Sequence, residues 1–257
     1  MRVSLSDVGR RGRMDLTIGQ QNDRTIVRSA FCEVPFKITR LLDLHTPVPH
    51  LILMHSTAGI FGGDELECTI RIERGARVRM TQQSATKVHP SQGRPAIQRT
   101  QVFVEAGAEL QLYMEPVIPF ADSSLNQTTV LNVAEGGKLA FWEGYMAGRL
   151  GRGESWRFRE LTCETRAVLQ ERLMYLDRFH LGSHNVHRAA GVLGTRPYFG
   201  TGLFVGEDAV RFATRMHESL PQAGVDSPAP NVAAVRIVAE NGPVFHNARE
   251  VFCQNVD

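Results

Sequence analysis

Lysine is nearly absent from this chain of 257 residues and occurs only as Lys37, Lys87 and Lys138. Because lysine and arginine together number 29, arginine supplies the remaining 26 basic residues. Arginine is favoured at protein interfaces, where its guanidinium makes forked hydrogen bonds, although biased genomic base composition explains the same excess. The formal net charge of +2 is too small to indicate a nucleic-acid-binding surface.

Cysteine is also sparse, and the sequence has no long apolar run. Cys32, Cys68, Cys163 and Cys253 lie far apart and form no C-x-x-C pair, so neither a zinc knuckle nor a redox pair is indicated. No apolar run approaches the roughly 18 residues that a membrane span needs, and the basic N-terminus lacks the apolar core of a signal peptide. Reduced thiols are typical of the cytosol, and we therefore expect a cytoplasmic protein that binds neither membrane nor nucleic acid.

An internal repeat is the strongest structural signal in the sequence. Three stretches align on Gly75, Gly107 and Gly136, and each has apolar residues three and five positions before and after its glycine. These positions are Ile70, Ile72, Val78, Met80, Val102, Val104, Leu110, Leu112, Leu131, Val133, Leu139 and Phe141. Period-two alternation on both sides of a turn predicts half-buried strands. Spacings of 32 and 29 residues favour stacked β coils or successive long hairpins, although a meander or barrel would read similarly.

The remaining segments are less regular. A hairpin is predicted around Gln20 to Asp23 and a short strand at 50–56, while residues 155–176 fit either long strands or a helix. The stretch 222–230 is rich in turn residues and predicts a loop, and 231–240 predicts another strand.

Two helices are predicted late in the chain, near 207–220 and 246–257. In the first, one face carries the apolar side chains of Ala209, Phe212, Ala213, Met216 and Leu220. We therefore expect a mainly β protein with β-helix-like stacked strands and a small appended pair of helices. The expected arrangement is one domain over 1–257, with a β body at about 12–205 and 231–240.

Ser84 and Lys87 form an S-x-x-K pair, which in some serine enzymes marks a nucleophile and its activating lysine. That chemistry requires the serine at the start of a helix, together with partner motifs S-D-N and K-T-G that this sequence lacks. The pair instead follows a strand of the repeat. We therefore interpret it as part of a polar strand end and turn.

Three other groups of residues suggest chemistry. The glycine-rich stretch 58–65 lacks the P-loop pattern and predicts a tight loop that brings Asp64 against the body. His180, His184 and His187 could bind a metal ion transiently, since imidazole is a ligand for nickel and zinc. The acidic residues around the second and third repeats could supply a glycosidase pair, but surface charge is the simpler interpretation. These residues are Glu115, Asp122, Glu135 and Glu143.

Several motifs together resemble the urease accessory protein family UreD, also called UreH. The stretch 58–89 has a glycine-rich loop ending in Gly-Asp, a strand, Gly-Ala, and a second strand ending in a run similar to T-x-Q-A-A-T-K. The stretches 112–124 and 143–158 resemble two further family segments. The resemblance covers about residues 12–240. The chain departs from the family at His55-Ser56, where Asn-Pro is common, and at His89-Pro90, where Tyr-Arg usually follows.

The resemblance implies a function in urease maturation without enzymatic activity. Members of the family bind the accessory protein UreF, which recruits the GTPase UreG, and the assembly docks on apo-urease so that nickel reaches the buried site. The accessory complex is also expected to be able to dimerise. We expect no tightly bound cofactor and expect nickel only in transit. The runner-up hypotheses are a β-helical carbohydrate-active hydrolase and a metal-dependent hydrolase built on the three histidines.

A polar passage through the protein would lower the cost of moving a divalent ion through an apolar interior. Hydroxyl, amide and carboxylate groups suit such a passage or a satisfied buried network. We expect Lys87 to pair with a carboxylate such as that of Asp64 or Glu115. The residues predicted to form the passage or network are Asp64, Thr81, Gln82, Gln83, Ser84, Thr86, Lys87, Glu115 and Glu143.

Overall fold

The computed structural model describes residues 9–44, 46, 48–182, 185 and 196–256. The strands in the first part are β1 (Arg11–Gln21), β2 (Arg24–Cys32), β3 (Phe36–Ile38), β4 (His50–His55), β5 (Glu65–Ile72), β6 (Arg77–Gln82), β7 (Thr86–Val88), β8 (Ala96–Val104), β9 (Glu109–Tyr113) and β10 (Val117–Pro119). They are followed by β11 (Ser124–Val133), β12 (Lys138–Met146), β13 (Glu160–Leu169), β14 (Arg172–Gly182), β15 (Tyr198–Val205), α1 (Ala209–Ser219), β16 (Gly224–Ala229), β17 (Val232–Ala239) and α2 (Gly242–Val256).

The strands form a solenoid whose successive turns build two facing sheets. The first sheet has the order β14-β13-β11-β8-β5-β1-β2, and the second has the order β16-β17-β15-β12-β9-β6-β4-β3, with the short β7 and β10 beside it. In the middle of the chain, successive strands alternate between the sheets. Thus β5, β8 and β11 pair in parallel in the first sheet, while β6, β9 and β12 pair in parallel in the second.

The predicted repeat is confirmed. Gly75, Gly107 and Gly136 have φ angles of +78°, +74° and +74° at equivalent turns between the two sheets. All twelve apolar positions of the repeat are buried in one core, because each faces the space between the sheets. The register pairs the repeats directly, as in Ile72 with Val104 and Val104 with Val133. Neighbouring turns therefore bury faces that no single repeat could bury alone.

Antiparallel hairpins lie at both edges of the first sheet. The predicted hairpin is β1–β2, where Asn22 and Asp23 both take positive φ as a two-residue turn requires. The ambiguous stretch 155–176 contributes strands, since it contains β13 and the first part of the antiparallel β14. The loop prediction for 222–230 was wrong, because β16 pairs with β17 as an edge strand with a register shift between Asp226 and Ala229. An edge position tolerates the missing N–H of proline, the residue type that favoured a loop in the sequence pattern.

Both predicted helices are present, and they pack on the outer face of the second sheet. A second core forms there from outward-facing sheet residues such as Trp142 and helix residues such as Phe212 and Phe252. Phe245 of α2 lies directly over two glycines, since a Cβ on Gly144 would come within 2.4 Å of its ring. The α2 helix is thereby held close to the sheet. Within the described residues, neither helix is long and apolar enough to cross a membrane.

Candidate functional site

A row of polar side chains interrupts the apolar interior of the first sheet. Thr100 on β8, Thr129 on β11, Thr165 on β13 and Asp177 on β14 are neighbours in the strand register and face inward. Cys68 on β5 continues the row beyond Thr100. Since neighbouring strands lie about 4.8 Å apart, five strands carry this row over about 20 Å along the solenoid axis.

The second sheet contributes a matching row. Glu143 on β12 pairs in register with Thr201 on β15, which pairs with Arg236 on β17, and Gln82 lies farther along on β6. The two rows meet, because Thr165 Oγ1 donates a hydrogen bond of 2.6 Å to Glu143 and Thr201 Oγ1 donates one of 3.2 Å to Asp177. We call the two rows together the polar seam. Its members are Thr100, Thr129, Thr165 and Asp177 from the first sheet and Gln82, Glu143, Thr201 and Arg236 from the second.

Two small cavities lie along the seam. Each has a volume of about 30 Å³, and both are lined by Gln82, Gln98 and Thr100. The first extends past Thr86 and Thr129 to Glu115 and Glu143. The second extends toward Cys68, His55 and Lys37. A volume of this size holds one or two water molecules or a small ion but not a sugar ring.

Two buried amides face this space with unused acceptors. The side-chain oxygens of Gln82 and Gln98 are buried, and neither has a hydrogen-bond partner within the part of the chain that the structure describes. The amide nitrogen of Gln82 donates to Thr86 Oγ1 at 2.7 Å, which orients its side chain toward the cavity. Buried carbonyl oxygens in a polar cavity bind water or a cation.

Glu143 is the most strongly perturbed carboxyl of the seam. Complete burial raises its pKa to about 7, and the hydrogen bonds from Thr165 and Tyr145 offset part of that effect. Tyr145 Oη donates to Glu143 at 3.0 Å, and the amide nitrogen of Gln127 donates to both Glu143 and Tyr145. A carboxyl with this pKa exchanges its proton near neutral pH. It can therefore release a proton when a cation arrives and regain it when the cation leaves.

The wall of the second sheet opens beside the first cavity. The ladder between β6 and β9 ends at Thr81 and Tyr113, and pairing resumes at Thr86 and Val117 between β7 and β10. Between β9 and β10, residues 114–116 belong to no strand, and Glu115 lies at the centre of this gap. Outside this opening lies a surface groove of about 230 Å³, lined by Ala85, Glu115, Pro116, Tyr198, Gly242, Phe245, His246 and Arg249. Glu115 lines both the groove and the cavity.

The structure places four of the nine residues of the predicted passage around the cavity. They are Gln82, Thr86, Glu115 and Glu143. Gln83, Ser84 and Lys87 are exposed instead. Gln83 and Ser84 lie in the bend between β6 and β7, and Lys87 is on the outward face of β7. The hydroxyl Oγ1 of Thr81 lies 2.7 Å from His50 Nε2, so Thr81 bonds to the neighbouring strand β4. The polar run is therefore two-sided, and only its inward members reach the seam.

The two carboxylates considered as partners of Lys87 have other partners in the structure. The carboxylate of Asp64 accepts backbone N–H groups of Arg10 and Phe61 at 2.8 and 2.9 Å, so it closes the glycine-rich loop. The carboxylate of Glu115 pairs with Arg249 on α2. Both carboxylates are held by partners that come from distant or backbone positions, which the sequence pattern does not reveal.

The S-x-x-K pair was interpreted as a strand end and turn, and the predicted histidine site lies only partly within the described residues. Ser84 lies in a bend and not on a helix, so the S-x-x-K geometry is absent at this position. The ring Nδ1 of His180 lies 2.8 Å from Thr162 Oγ1 and 3.5 Å from Glu160, while His184 and His187 lie outside the described residues. No group of three or more His, Cys, Asp or Glu side chains is arranged to bind a metal ion in the described part of the chain.

The four acidic residues considered for a glycosidase pair do not form an open site. Asp122 and Glu135 lie at turns, whereas Glu143 is buried. Glu115 and Glu143 line the same cavity, but its volume of about 30 Å³ excludes a sugar substrate. The hydrolase hypothesis therefore has no support in this geometry.

Sequence reasoning missed the whole first-sheet row, including Asp177. Gln98, Thr100, Gln127, Thr129 and Thr165 were not predicted, although each lies on the inward face of its strand. The signal was available in β8 and β11, because period-two alternation counted back from the buried Val102 and Leu131 reaches Gln98, Thr100, Gln127 and Thr129. Polar residues at positions that a strand pattern assigns to the core are the feature to look for.

Comparison with known proteins identifies the class of protein to which this stacked-strand architecture belongs. Residues 10–254 match the profile of the family described as UreD urease accessory protein. The chain is 30% identical over 253 residues to the urease accessory protein UreD of Deinococcus radiodurans, covering 97% of this chain and 91% of that protein. It is 32% identical over 209 residues to UreD of Cupriavidus necator, covering 80% and 72%. It is 29% identical over 160 residues to UreH of Helicobacter hepaticus, covering 62% and 63%.

These similarities define a class of accessory proteins and not of enzymes. The chain belongs to the UreD urease accessory protein family, as the resemblance in the sequence indicated. Membership of this family supports a role in urease maturation. The polar seam is therefore a feature of an accessory protein.

Proposed function

We propose that this protein joins UreF and UreG on apo-urease and passes nickel through the polar seam toward the urease site. The observation that carries the proposal is the seam itself, which runs between the two sheets past two cavities of about 30 Å³ each. An apolar stack of strands needs no such row for stability, because burying polar groups costs free energy unless they are satisfied. A polar interior that is only partly satisfied is better explained by an occupant.

The ligand chemistry suits transit rather than storage. Hydroxyl and amide oxygens are weak ligands for nickel, and a lone carboxyl at each step binds it only briefly. Glu143 would accept the ion in exchange for its proton, since its pKa of about 7 leaves both states accessible. A stable nickel site would need several stronger ligands at fixed geometry and would retain the ion.

The contact with UreF is proposed for the helical side of the protein. Both helices cover the outer face of the second sheet, and the side chain of Val210 on α1 is 58% exposed. Exposed helix faces dock readily in grooves of partner proteins. In this arrangement, the partner would lie next to the groove that leads to Glu115.

The test is urease activation in cells that co-express the structural and accessory genes. Replacing Ala85 by leucine adds bulk to the groove beside Glu115, so it should lower urease activity while the accessory complex still co-purifies. The matched variant is Ser84→Leu, which adds similar bulk at the exposed neighbouring position. Equal activity with Ala85→Leu and wild type would count against a passage at this opening. Loss of co-purification would instead identify a partner contact.

A further inference from the structure

The opening in the second sheet is closed by one ion pair. The Arg249 guanidinium pairs with the Glu115 carboxylate, and the Arg249 side chain is only 13% exposed because it lies between the helix and the sheet. Glu115 is the residue that lines both the interior cavity and the surface groove. An ion pair at this position therefore occupies the route between them.

The guanidinium also contacts the other polar groups of the groove. A second nitrogen of Arg249 donates to His246 Nδ1 at 3.0 Å and lies 3.6 Å from Glu250. Arg249 thus places a positive charge among a carboxylate, an imidazole and a second carboxylate. Carboxylates can bind a divalent cation, so the guanidinium occupies the position at Glu115 that such a cation would take.

The pairing of Arg249 with Glu115 depends on the position of α2 over the sheet. Arg249 is carried by α2, which is located over the sheet by the contact of Phe245 with Gly144 and Gly200. Glu115 is carried by a segment between two short stretches of ladder and so has no strand pairing of its own. A small displacement of α2 would therefore separate the pair without breaking the sheet.

We propose that Arg249 gates the polar seam: its pairing with Glu115 closes the opening to the cavity, and its release admits a divalent cation to Glu115. This inference rests on the proposed passage of nickel, and it assigns Arg249 as a positioning residue whose charge holds Glu115 in the closed arrangement. A partner that moves α2 or offers a carboxylate to Arg249 would open the gate.

The gate can be tested on the purified chain without urease. Cys68 lines the second cavity and Cys163 is buried beside the seam, so these native thiols report the entry of an ion. In a parent in which Cys32 and Cys253 are replaced by serine, the protein is exposed to Hg²⁺, quenched at successive times, and its remaining thiols are counted after denaturation. Arg249→Met removes the charge and retains the aliphatic bulk of the side chain.

Arg249→Met should speed the loss of the buried thiols by about tenfold, which corresponds to about 1.4 kcal/mol. Glu115→Gln should act in the same direction, and Arg249→Lys should remain closer to the parent because it keeps a cation. The matched control is Arg28→Met, which breaks an exposed ion pair with Glu73 elsewhere on the protein and should leave the rate unchanged. Thermal melting shows whether each variant is folded, and Glu115→Gln serves if Arg249→Met is not.

Two results would distinguish the gate from the function. Unchanged thiol reactivity in folded Arg249→Met and Glu115→Gln variants would overturn the gate, whatever their effect on urease. Faster thiol reactivity in Arg249→Met supports the gate. If that same variant activates urease normally and Ala85→Leu does so too, the gate stands and the proposed passage of nickel fails.

Discussion

The buried carboxyl of Glu143 makes the stability of this protein depend on pH in a defined direction. Its pKa rises from the ordinary value of 4.5 to about 7 in the folded protein because burial disfavours the charged form. Between these values, the folded state retains a proton that the unfolded state has released. The free energy of unfolding therefore falls as pH rises through this interval, and the stability present at lower pH is lost above about pH 7.

The magnitude follows from the interval between the two pKa values. At about 1.36 kcal/mol per pH unit, Glu143 lowers the stability by about 3 kcal/mol between pH 4.5 and neutral pH. Glu143→Gln keeps a neutral side chain of similar shape at all pH values. Relative to wild type, the variant should therefore gain about 3 kcal/mol as pH rises across the same interval.

The assay is urea unfolding at a series of pH values from about 5 to about 8, followed by tryptophan fluorescence. The variant and wild type should differ increasingly toward the alkaline end. The matched control is Glu218→Gln, which changes an exposed carboxyl on α1 and should follow wild type. Parallel pH profiles for Glu143→Gln and wild type would refute the assignment of a buried, protonated carboxyl to this position.

Two further predictions concern the helices. Gly144→Ala should destabilise the fold by about 1–3 kcal/mol, because its Cβ would lie 2.4 Å from the Phe245 ring. The control Gly151→Ala, with no atom within 4 Å of the new Cβ, should change the melting temperature little. Equal melting temperatures for the two variants would contradict the close packing of α2. Val210→Asp should weaken co-purification with UreF without changing the melting temperature. The control Asp226→Asn, on the edge strand β16, should leave co-purification intact. Undiminished UreF binding by Val210→Asp would place the UreF contact elsewhere.

The sequence pattern predicted the solenoid because the strands and the turn of each repeat are determined by residues within one short segment. The three turn glycines and their flanking apolar residues fix the alternation, and stacking is the way in which such units bury their faces. The loop prediction at 222–230 failed for the opposite reason. Whether Gly224–Ala229 forms a strand depends on the edge offered by β17, and that partner is not a property of the segment itself.

The candidate site was only partly predictable because it is assembled across the stack. Glu143 meets Thr165 and Gln127 across the space between the two sheets, and Glu115 meets Arg249 through the docking of α2. Sequence spacing contains neither relation. The inward face of each strand was predictable from alternation, and counting along that face is enough to single out Thr100 and Thr129 as polar residues at core positions.

The most direct measurement of the central claim is the nickel content of urease matured with a seam-blocking variant. Thr129 is buried on the cavity wall, so Thr129→Leu adds bulk inside the passage, whereas Thr129→Val removes one hydroxyl at nearly constant volume. With equal assembly of the accessory complex, Thr129→Leu should lower nickel transfer by about tenfold, equivalent to a barrier higher by about 1.4 kcal/mol. Thr129→Val should do much less, since neighbouring groups and water replace one hydroxyl. Wild-type nickel content with Thr129→Leu, when the leucine is shown to fill the cavity, would contradict the passage of nickel through the polar seam.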